Sequence, residues 1–215
     1  MPISFSFAAR RSAARLLTVS ALIASSLGVA ACFPLAATGI AIGALAVIDR
    51  RTIGAQTEDQ AIELKSRDAL SGAVSDASGI SVTSYNRRVL LTGQVLSGAD
   101  RQGAGAAIAG MPNVRGVYNE LEIAGKASFQ VSAADTTITT KVKTALLRDE
   151  LVPGNSVKVK TERSVVYLMG LVTNREAQRA AEVASLVPGV ARVVTVFELV
   201  SDDEASRLSS GPAAK

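Results

Sequence analysis

The sequence of 215 residues contains no histidine, no tryptophan and a single cysteine, Cys32. Catalytic nucleophile and base pairs and zinc sites nearly always use histidine or clustered cysteines, so most of the side chains that serve those purposes are missing. A lone cysteine cannot form a disulfide within the chain. The composition therefore argues against an enzyme, and we expect no bound metal and no other cofactor.

Aromatic residues and excess charge of one sign are also scarce. The chain has five Phe and three Tyr, and its formal net charge is +4. Arg10, Arg11 and Arg15 precede the first acidic residue, and the rest of the chain is almost neutral. A nucleic-acid-binding protein usually carries a basic patch with stacking aromatic side chains beside it. We therefore expect neither a nucleic acid nor a small-molecule substrate as a partner.

The first 31 residues have the order of a secretory signal peptide. Three arginines are followed by an apolar run over residues 16–28 and then by two alanines directly before Cys32. The string Val29-Ala-Ala-Cys32 resembles a lipobox, in which the cysteine after the cleavage site receives a diacylglycerol on its thiol. The sequence predicts a lipoprotein signal peptide over residues 1–31 and acyl chains, such as palmitate, that hold Cys32 in a membrane.

A transmembrane anchor is the alternative interpretation of this region. The apolar residues 16–48 exceed the roughly 20 residues of one span, and Pro34 lies near their middle. The residue after Cys32 is Phe33, not the aspartate that resembles an inner-membrane retention signal. We expect an outer-membrane anchor facing the periplasm, with residues 32–57 as a lipidated tether, and an inner-membrane anchor as the alternative.

Beyond the tether the chain repeats itself. From Glu58 onward it aligns with itself at a shift of 76 to 77 residues, and the helix, strand and turn signals coincide. The repeat predicts two domains, residues 58–125 and residues 135–200, joined by a linker over residues 126–134. The tail over residues 201–215 is polar, and we expect it to be disordered.

Each copy predicts the element order helix, strand, strand, helix, strand. In the second copy Ile138, Val142 and Leu146 form the apolar stripe of a helix, and alternating strand patterns follow. Asp59 and Asp135 are the predicted N-caps of the first helices. The predicted fold class is α+β, with two tandem modules, each αββαβ with a three-stranded mixed sheet packed on two helices.

Gly93 and Gly170 occupy the same position of the two copies, at the end of a strand pattern. Glycine is favoured where φ is positive or where a side chain would meet a neighbouring backbone. We therefore predict a structural role for both glycines.

Two motifs in each copy carry a resemblance to a known family. Val89-Leu-Leu-Thr-Gly-Gln-Val95 and Val166-Tyr-Leu-Met-Gly-Leu-Val172 share one pattern, and Pro112-Asn-Val-Arg-Gly-Val117 and Pro188-Gly-Val-Ala-Arg-Val193 share another. These motifs resemble those of the BON domain. With the lipobox, the two copies make the chain similar to the family of dual-BON outer-membrane lipoproteins called DolP.

The resemblance implies a non-enzymatic factor that supports envelope integrity, gathers at sites of cell division and binds anionic phospholipid through its second domain. The second domain carries nine basic and seven acidic side chains, whereas the first carries six and eight. A basic side chain near an anionic membrane contributes about 1 kcal/mol. The predicted phospholipid-binding residues, on the first helix of the second domain, are Thr137, Lys141, Thr144, Leu147 and Arg148.

Two alternatives stay open. Lys141, Lys143 and Arg148 also fit an ordinary solvated helix face. This helix, predicted to begin at Thr136, lacks the aromatic anchor expected at a membrane interface. The alternative function is a periplasmic adaptor that docks an envelope assembly factor or a protease, through a sheet edge or through the groove between the domains.

Overall fold

The computed structural model describes residues 49–210 and contains the predicted element order twice, so the predicted fold class is confirmed. The first domain comprises α1 (Ile53–Ser71), β1 (Ile80–Tyr85), β2 (Arg88–Val95), α2 (Gly98–Ala109), β3 (Gly116–Asn119) and β4 (Glu122–Ile123). The second comprises α3 (Phe129–Arg148), a 3-10 turn (Gly154–Ser156), β5 (Val157–Glu162), β6 (Val165–Val172), α4 (Asn174–Ser185) and β7 (Arg192–Leu199), followed by α5 (Asp202–Ser209). The predicted signal peptide, Cys32 and residues 211–215 lie outside the described residues.

In each domain the third strand reaches the sheet through a helical crossover. β1 and β2 form an antiparallel hairpin, and β3 and β4 pair with β2 in parallel. β5, β6 and β7 repeat this arrangement. A parallel pair needs a long crossover connection, which α2 and α4 supply. β3 and β4 are two parts of one edge strand interrupted at Glu120 and Leu121, whereas β7 pairs with β6 without a break.

The first helix of each domain begins earlier than the sequence predicts. The hydroxyl oxygens of Thr52 and Ser128 accept hydrogen bonds from the backbone amides three residues further on, at 3.1 and 3.4 Å. These two residues are therefore the N-caps, and α1 and α3 start inside the segments predicted as tether and linker. The prediction of Asp59 and Asp135 as N-caps is wrong, because both lie within the helices.

Asp59 and Asp135 instead hold the hairpin turns. The Asp135 carboxylate accepts hydrogen bonds from the backbone nitrogens of Arg163 and Ser164 at 2.7 and 2.8 Å. Asp59 does the same for the turn of the first domain, at 2.8 and 2.7 Å. Arg163 and Ser164 have φ of 46° and 64°, the left-handed conformation that a two-residue hairpin turn requires at both positions. Each buried carboxylate thus connects the first helix to the hairpin beneath it.

Each domain has its own core between its helices and one face of its sheet. The first core includes Ile62, Leu70, Val89, Leu91, Val95, Ala104 and Ile108. The second includes Ile138, Val142, Leu146, Val166, Leu168, Val172, Ala180 and Ala184. Successive residues of a strand point to opposite faces, so alternate residues of β2 and β6 are left for the other face of each sheet.

Those other faces pack against each other and form a third core, which we call the seam. Its buried members are Tyr85, Leu90, Tyr167, Met169, Leu171 and Val196. Leu90 of β2 and Met169 of β6 are at most 1% exposed, so the central strand of each sheet is covered on both faces. The two domains therefore share an apolar interface.

The segment that follows β7 is partly helical, which corrects the prediction of a disordered tail for residues 202–209. The hydroxyl of Ser201 caps α5 by accepting a hydrogen bond from Glu204. Ala205 is buried, and Leu208 packs against the seam. A helix of eight residues is unstable alone, so its packing against the second domain holds it in place. Over residues 49–210, no helix combines the length and the apolar character that crossing a membrane requires.

Candidate functional site

The five residues predicted to contact lipid all lie on the solvent side of α3. Thr137, Lys141, Thr144 and Arg148 are exposed and follow the helical spacing of four, three and four residues. Leu147, half exposed, flanks them. The opposite side of α3 is buried in the core of the second domain. The structure thus places the five residues on one continuous surface, which we call the α3 face.

The threonine hydroxyls of the α3 face donate hydrogen bonds to backbone carbonyl oxygens of α3 itself. The hydroxyl of Thr137 donates to the carbonyl oxygen of Ala133 at 3.1 Å, and that of Thr144 donates to Thr140 at 2.8 Å. Thr140 forms the same kind of bond one turn earlier. The threonine hydroxyls are therefore already used as donors within α3, and the ionic character of the face comes from Lys141 and Arg148.

Lys141 and Arg148 are free to attract an external anion. Among residues 49–210, neither has a carboxylate within ion-pair distance. The first carboxylate beyond the helix, Asp149, is paired with Arg179 at 2.8 Å. The hydrogen bond from Arg179 lowers the pKa of Asp149, so this carboxylate is charged and already neutralised.

Lys143, the third basic residue of α3, does not belong to the α3 face. Its ammonium group donates to the carbonyl oxygens of Gly154 and Val157 at 2.7 and 2.6 Å. Burial lowers the pKa of Lys143, and the nearby carboxylate of Asp49 acts in the opposite direction. Lys143 therefore ties α3 to the 3-10 turn and is not available to a ligand.

The repeat supplies an internal comparison for the α3 face. α1 carries four acidic and two basic side chains, whereas α3 carries one and three. At the shift of 76 residues, Lys65 corresponds to Lys141, but Asp68 stands where α3 has Thr144. The exposed Lys141 of α3 thus lacks an acidic neighbour one turn further on, whereas the exposed Lys65 of α1 has Asp68 there.

Sequence reasoning missed Phe129, the first residue of α3, which is 84% exposed. Phe129 and Leu147 are 18 residues apart, which is five helical turns, so they lie on the same side of α3 about 27 Å apart. The expectation that this helix lacks an aromatic residue is wrong, because the helix begins seven residues before Thr136. Ser128, a good N-cap residue, was the sequence signal that could have shown this.

The two predicted structural glycines lie at close backbone contacts. Gly93 has φ of +108°, and a Cβ there would overlap the carbonyl oxygen of Gly79. At Gly170 a Cβ would lie 2.9 Å from the carbonyl oxygen of Ser156, without a positive φ. Gly79 and Ser156 directly precede β1 and β5, so a side chain at either glycine would push the start of that strand away from its hairpin partner.

The chain is similar in sequence to a known domain family and to several known proteins. The sequence model of the BON domain matches residues 58–125 and 134–201. The chain is 36% identical over 179 residues to the outer membrane lipoprotein DolP of Haemophilus influenzae, a match covering 82% of this chain and 93% of that protein. It is 34% identical over 158 residues to the 21 kDa hemolysin of Actinobacillus pleuropneumoniae, covering 71% and 80% of the two chains. It is also 34% identical over 145 residues to the osmotically-inducible protein Y of Escherichia coli, covering 66% and 72%.

Proposed function

This chain belongs to the BON-domain family, and on that basis we propose that it is an outer-membrane lipoprotein that binds anionic phospholipid through its second BON domain. In this proposal Cys32 carries the lipid anchor, the domains face the periplasm, and the protein performs no chemistry of its own. Its role is to support envelope integrity, with a link to cell division. The relative named as an outer membrane lipoprotein supports the location, since 93% of its length is matched.

The observation that carries the lipid-binding proposal is the charge of the α3 face. Lys141 and Arg148 have no acidic ion-pair partner among the described residues. The hydroxyls of Thr137 and Thr144 donate to backbone carbonyl oxygens of α3. Phe129 and Leu147 add exposed apolar groups along one border. A cationic helix surface with an apolar border fits the headgroup region of an anionic membrane, where charge attracts and apolar side chains insert.

The expected affinity of the domains alone is low. Two basic residues contribute about 1 kcal/mol each near an anionic surface, which is too little for stable attachment. Acyl chains on Cys32 would hold the protein at the membrane and raise the effective concentration of the α3 face there. The α3 face therefore selects the lipid and orients the domains, while the anchor supplies most of the membrane affinity.

The test is co-sedimentation of residues 49–215 with vesicles of neutral or anionic phospholipid, at low and high salt. We expect binding only to anionic vesicles, weakened by salt. Lys141→Glu and Leu147→Glu should abolish it. Lys65→Glu is the matched control, because Lys65 occupies the same position on α1, and it should bind like the unaltered chain.

Absence of binding to every vesicle, or equal loss in the Lys65 and Lys141 variants, would contradict the lipid-binding proposal. A protein adaptor would then be the function to pursue. The structure limits where such an adaptor could use the edge of β1, because Glu63 binds the backbone nitrogen of Ser84 and Lys158 binds its carbonyl oxygen. These two side chains cover the edge at Ser84 and leave less of it for an added strand.

The proposed lipid anchor at Cys32 is tested by a separate experiment. Cys32→Ala should release the protein from the membrane fraction into the soluble periplasmic fraction, and separation of inner from outer membranes should place the unaltered protein with the outer membrane. Recovery of the Cys32→Ala protein in membranes at the original level would show that the apolar N-terminal segment is itself the anchor.

A further inference from the structure

Arg50 and Arg51 are adjacent in sequence, but their side chains bind different domains. Arg50 is 7% exposed although it precedes the first domain. Its guanidinium binds both carboxylate oxygens of Glu176, on α4 of the second domain, at 2.7 and 2.8 Å. It also donates to the carbonyl oxygen of Leu171 and to the hydroxyl of Ser209, each at 3.0 Å. Each guanidinium nitrogen of Arg50 therefore has an acceptor in the second domain or in α5.

Arg51 binds the first domain instead. Its guanidinium pairs with Asp59 at 2.7 Å and with Asp49 at 2.7 Å. It also lies over the ring of Tyr85, 4.1 Å from the centroid, where a cation is attracted by the aromatic face. The Tyr85 hydroxyl in turn reaches the second domain through Ser156. Two consecutive residues thus hold both sides of one end of the seam.

The contact of Arg50 with Glu176 lies in the first turn of α4, and its contact with Ser209 lies at the end of α5. Besides binding Arg50, Glu176 accepts a hydrogen bond from the backbone nitrogen of Thr173, which completes the capping box of α4. Ser209, the other side-chain partner of Arg50, is the last residue of α5. Arg50 therefore joins the start of the described chain to its final helix, across 159 positions of sequence.

The attachment also lies near α3. Arg51 lies over the ring of Tyr85, whose hydroxyl donates to the carbonyl oxygen of Ser156 in the 3-10 turn. Lys143 of α3 binds the same turn. The attachment therefore lies on the side of the body where α3 meets the 3-10 turn.

We infer that Arg50 and Arg51 form a clip that fastens residues 49–51 to both domains and binds α5 in the same contact. The clip is a positioning device, because it fixes both domains and α5 to each other at one end of the seam. It goes beyond the proposed function and does not depend on lipid binding. Without the clip, residues 49–51 and α5 would leave the second domain together.

Limited digestion of residues 32–215 with trypsin tests the clip, because the clip residues are themselves cleavage sites. In the unaltered protein the bonds after Arg50, Arg51 and Arg207 should be protected, whereas the bond after the exposed Lys126 should be cut first. Glu176→Gln removes the charge opposite Arg50 and leaves every arginine in place. We expect cleavage after Arg50, Arg51 and Arg207 to become at least about tenfold faster, since proteolysis follows the population of the opened form.

The controls separate the clip from general loss of structure. Glu182→Gln makes the same change on α4 and should leave all rates unchanged, because among residues 49–210 Glu182 forms an ion pair only with Arg179 at the surface. Cleavage after Arg88, inside β2, should stay slow in every variant, because it reports unfolding of the first domain. If Glu176→Gln fails to fold, Arg50→Gln serves instead, and cleavage after Arg51 and Arg207 should accelerate together.

Rapid cleavage after Arg50 or Arg51 in the unaltered protein would overturn the inference. So would protection after Arg207 that survives both Arg50→Gln and Glu176→Gln, because α5 would then be held without the clip. If the protein does not bind vesicles although the bonds after Arg50, Arg51 and Arg207 stay protected, only the lipid-binding proposal is contradicted. The two proposals can therefore fail separately.

Discussion

The hydroxyl of Tyr85 donates a hydrogen bond to the backbone carbonyl oxygen of Ser156 at 2.9 Å, from one BON domain to the other. The ring of Tyr85 is 4% exposed and packs in the seam. A buried hydroxyl without a partner would be costly, so this bond lets a polar group lie in an apolar interface. The seam therefore combines apolar packing with a satisfied polar contact, as the core of a single domain does.

Leu90→Ala should lower the stability of both domains, whereas Leu91→Ala should lower mainly the stability of the first domain. Both are fully buried neighbours on β2, but Leu90 packs in the seam and Leu91 in the core of the first domain. Each Leu→Ala change is expected to lower the free energy of unfolding by about 2 to 5 kcal/mol. Amide hydrogen exchange locates the effect: Leu90→Ala should speed exchange in β6 as well as in β2. Unchanged exchange in β6 would show that the domains are stable independently.

Alkaline pH should open the seam. Burial raises the pKa of Tyr167 to about 12, with a further contribution from the carboxylate of Glu120, and burial also raises the pKa of Tyr85. A raised pKa means that the folded state holds the phenol proton more tightly than the unfolded state does. This contribution to stability is complete below about pH 10, the ordinary pKa of tyrosine, and is lost as the pH rises toward 12. Tyrosinate absorbance and unfolding, followed in one titration, should change together.

The control for the alkaline transition is Tyr167→Phe, which removes one of the two buried tyrosine hydroxyls of the seam and keeps the apolar ring. Its stability should fall less steeply above pH 10 than that of the unaltered protein. Identical curves for the two proteins would mean that Tyr167 does not contribute to the alkaline loss of stability.

Gly93→Ala should be strongly destabilising. Alanine at φ of +108° is strained, and its Cβ would overlap the Gly79 carbonyl, so we expect a loss of at least about 2 kcal/mol in the free energy of unfolding. Gly170→Ala should cost less, because only the close contact applies there. Gly116→Ala is the control, since nothing lies within 4 Å of its Cβ position. Chemical denaturation gives the three values, and equal losses at Gly93 and Gly116 would contradict this account.

Asp135→Asn should loosen the hairpin of the second domain. The carboxylate accepts two backbone N–H groups of the turn, and an amide of the same shape keeps only one oxygen to accept them. Hydrogen bonds to a charged group contribute about 1.5 to 3 kcal/mol, so we expect a loss of about 2 kcal/mol in the free energy of unfolding. Asp68→Asn, at an exposed position of α1, should change stability by no more than about 0.5 kcal/mol. A similar effect at both positions would indicate that the turn does not depend on Asp135.

Local patterns in the sequence were enough to predict much of this structure. The stripe of Ile138, Val142 and Leu146, the hairpin patterns and the repeat at 76 to 77 residues predicted both modules, because helical and strand periodicities are properties of neighbouring residues. The same patterns placed Thr137 and Lys141 on the exposed side of α3.

Two of the failed predictions depend on contacts distant in sequence. Asp59 and Asp135 have the chemistry of N-caps, but hairpin turns 27 to 29 residues away bind their carboxylates, and Thr52 and Ser128 cap the helices instead. The tail after β7 is polar enough to be predicted as disordered, yet α5 forms there. A short helix of that composition gains its stability only from the surface on which it packs.

The sequence by itself determined the order of helices and strands in both modules, the repeat and the excess of basic residues in the second domain, because composition and periodicity do not depend on tertiary contacts. Only the tertiary structure decided that the two sheets meet in a seam, that Arg50 is buried against Glu176, and that Lys141 and Arg148 are left without acidic partners among the described residues. Each of these depends on which side chains distant in sequence come within a few ångströms. Burial and ion pairing act over those distances, and no local pattern encodes them.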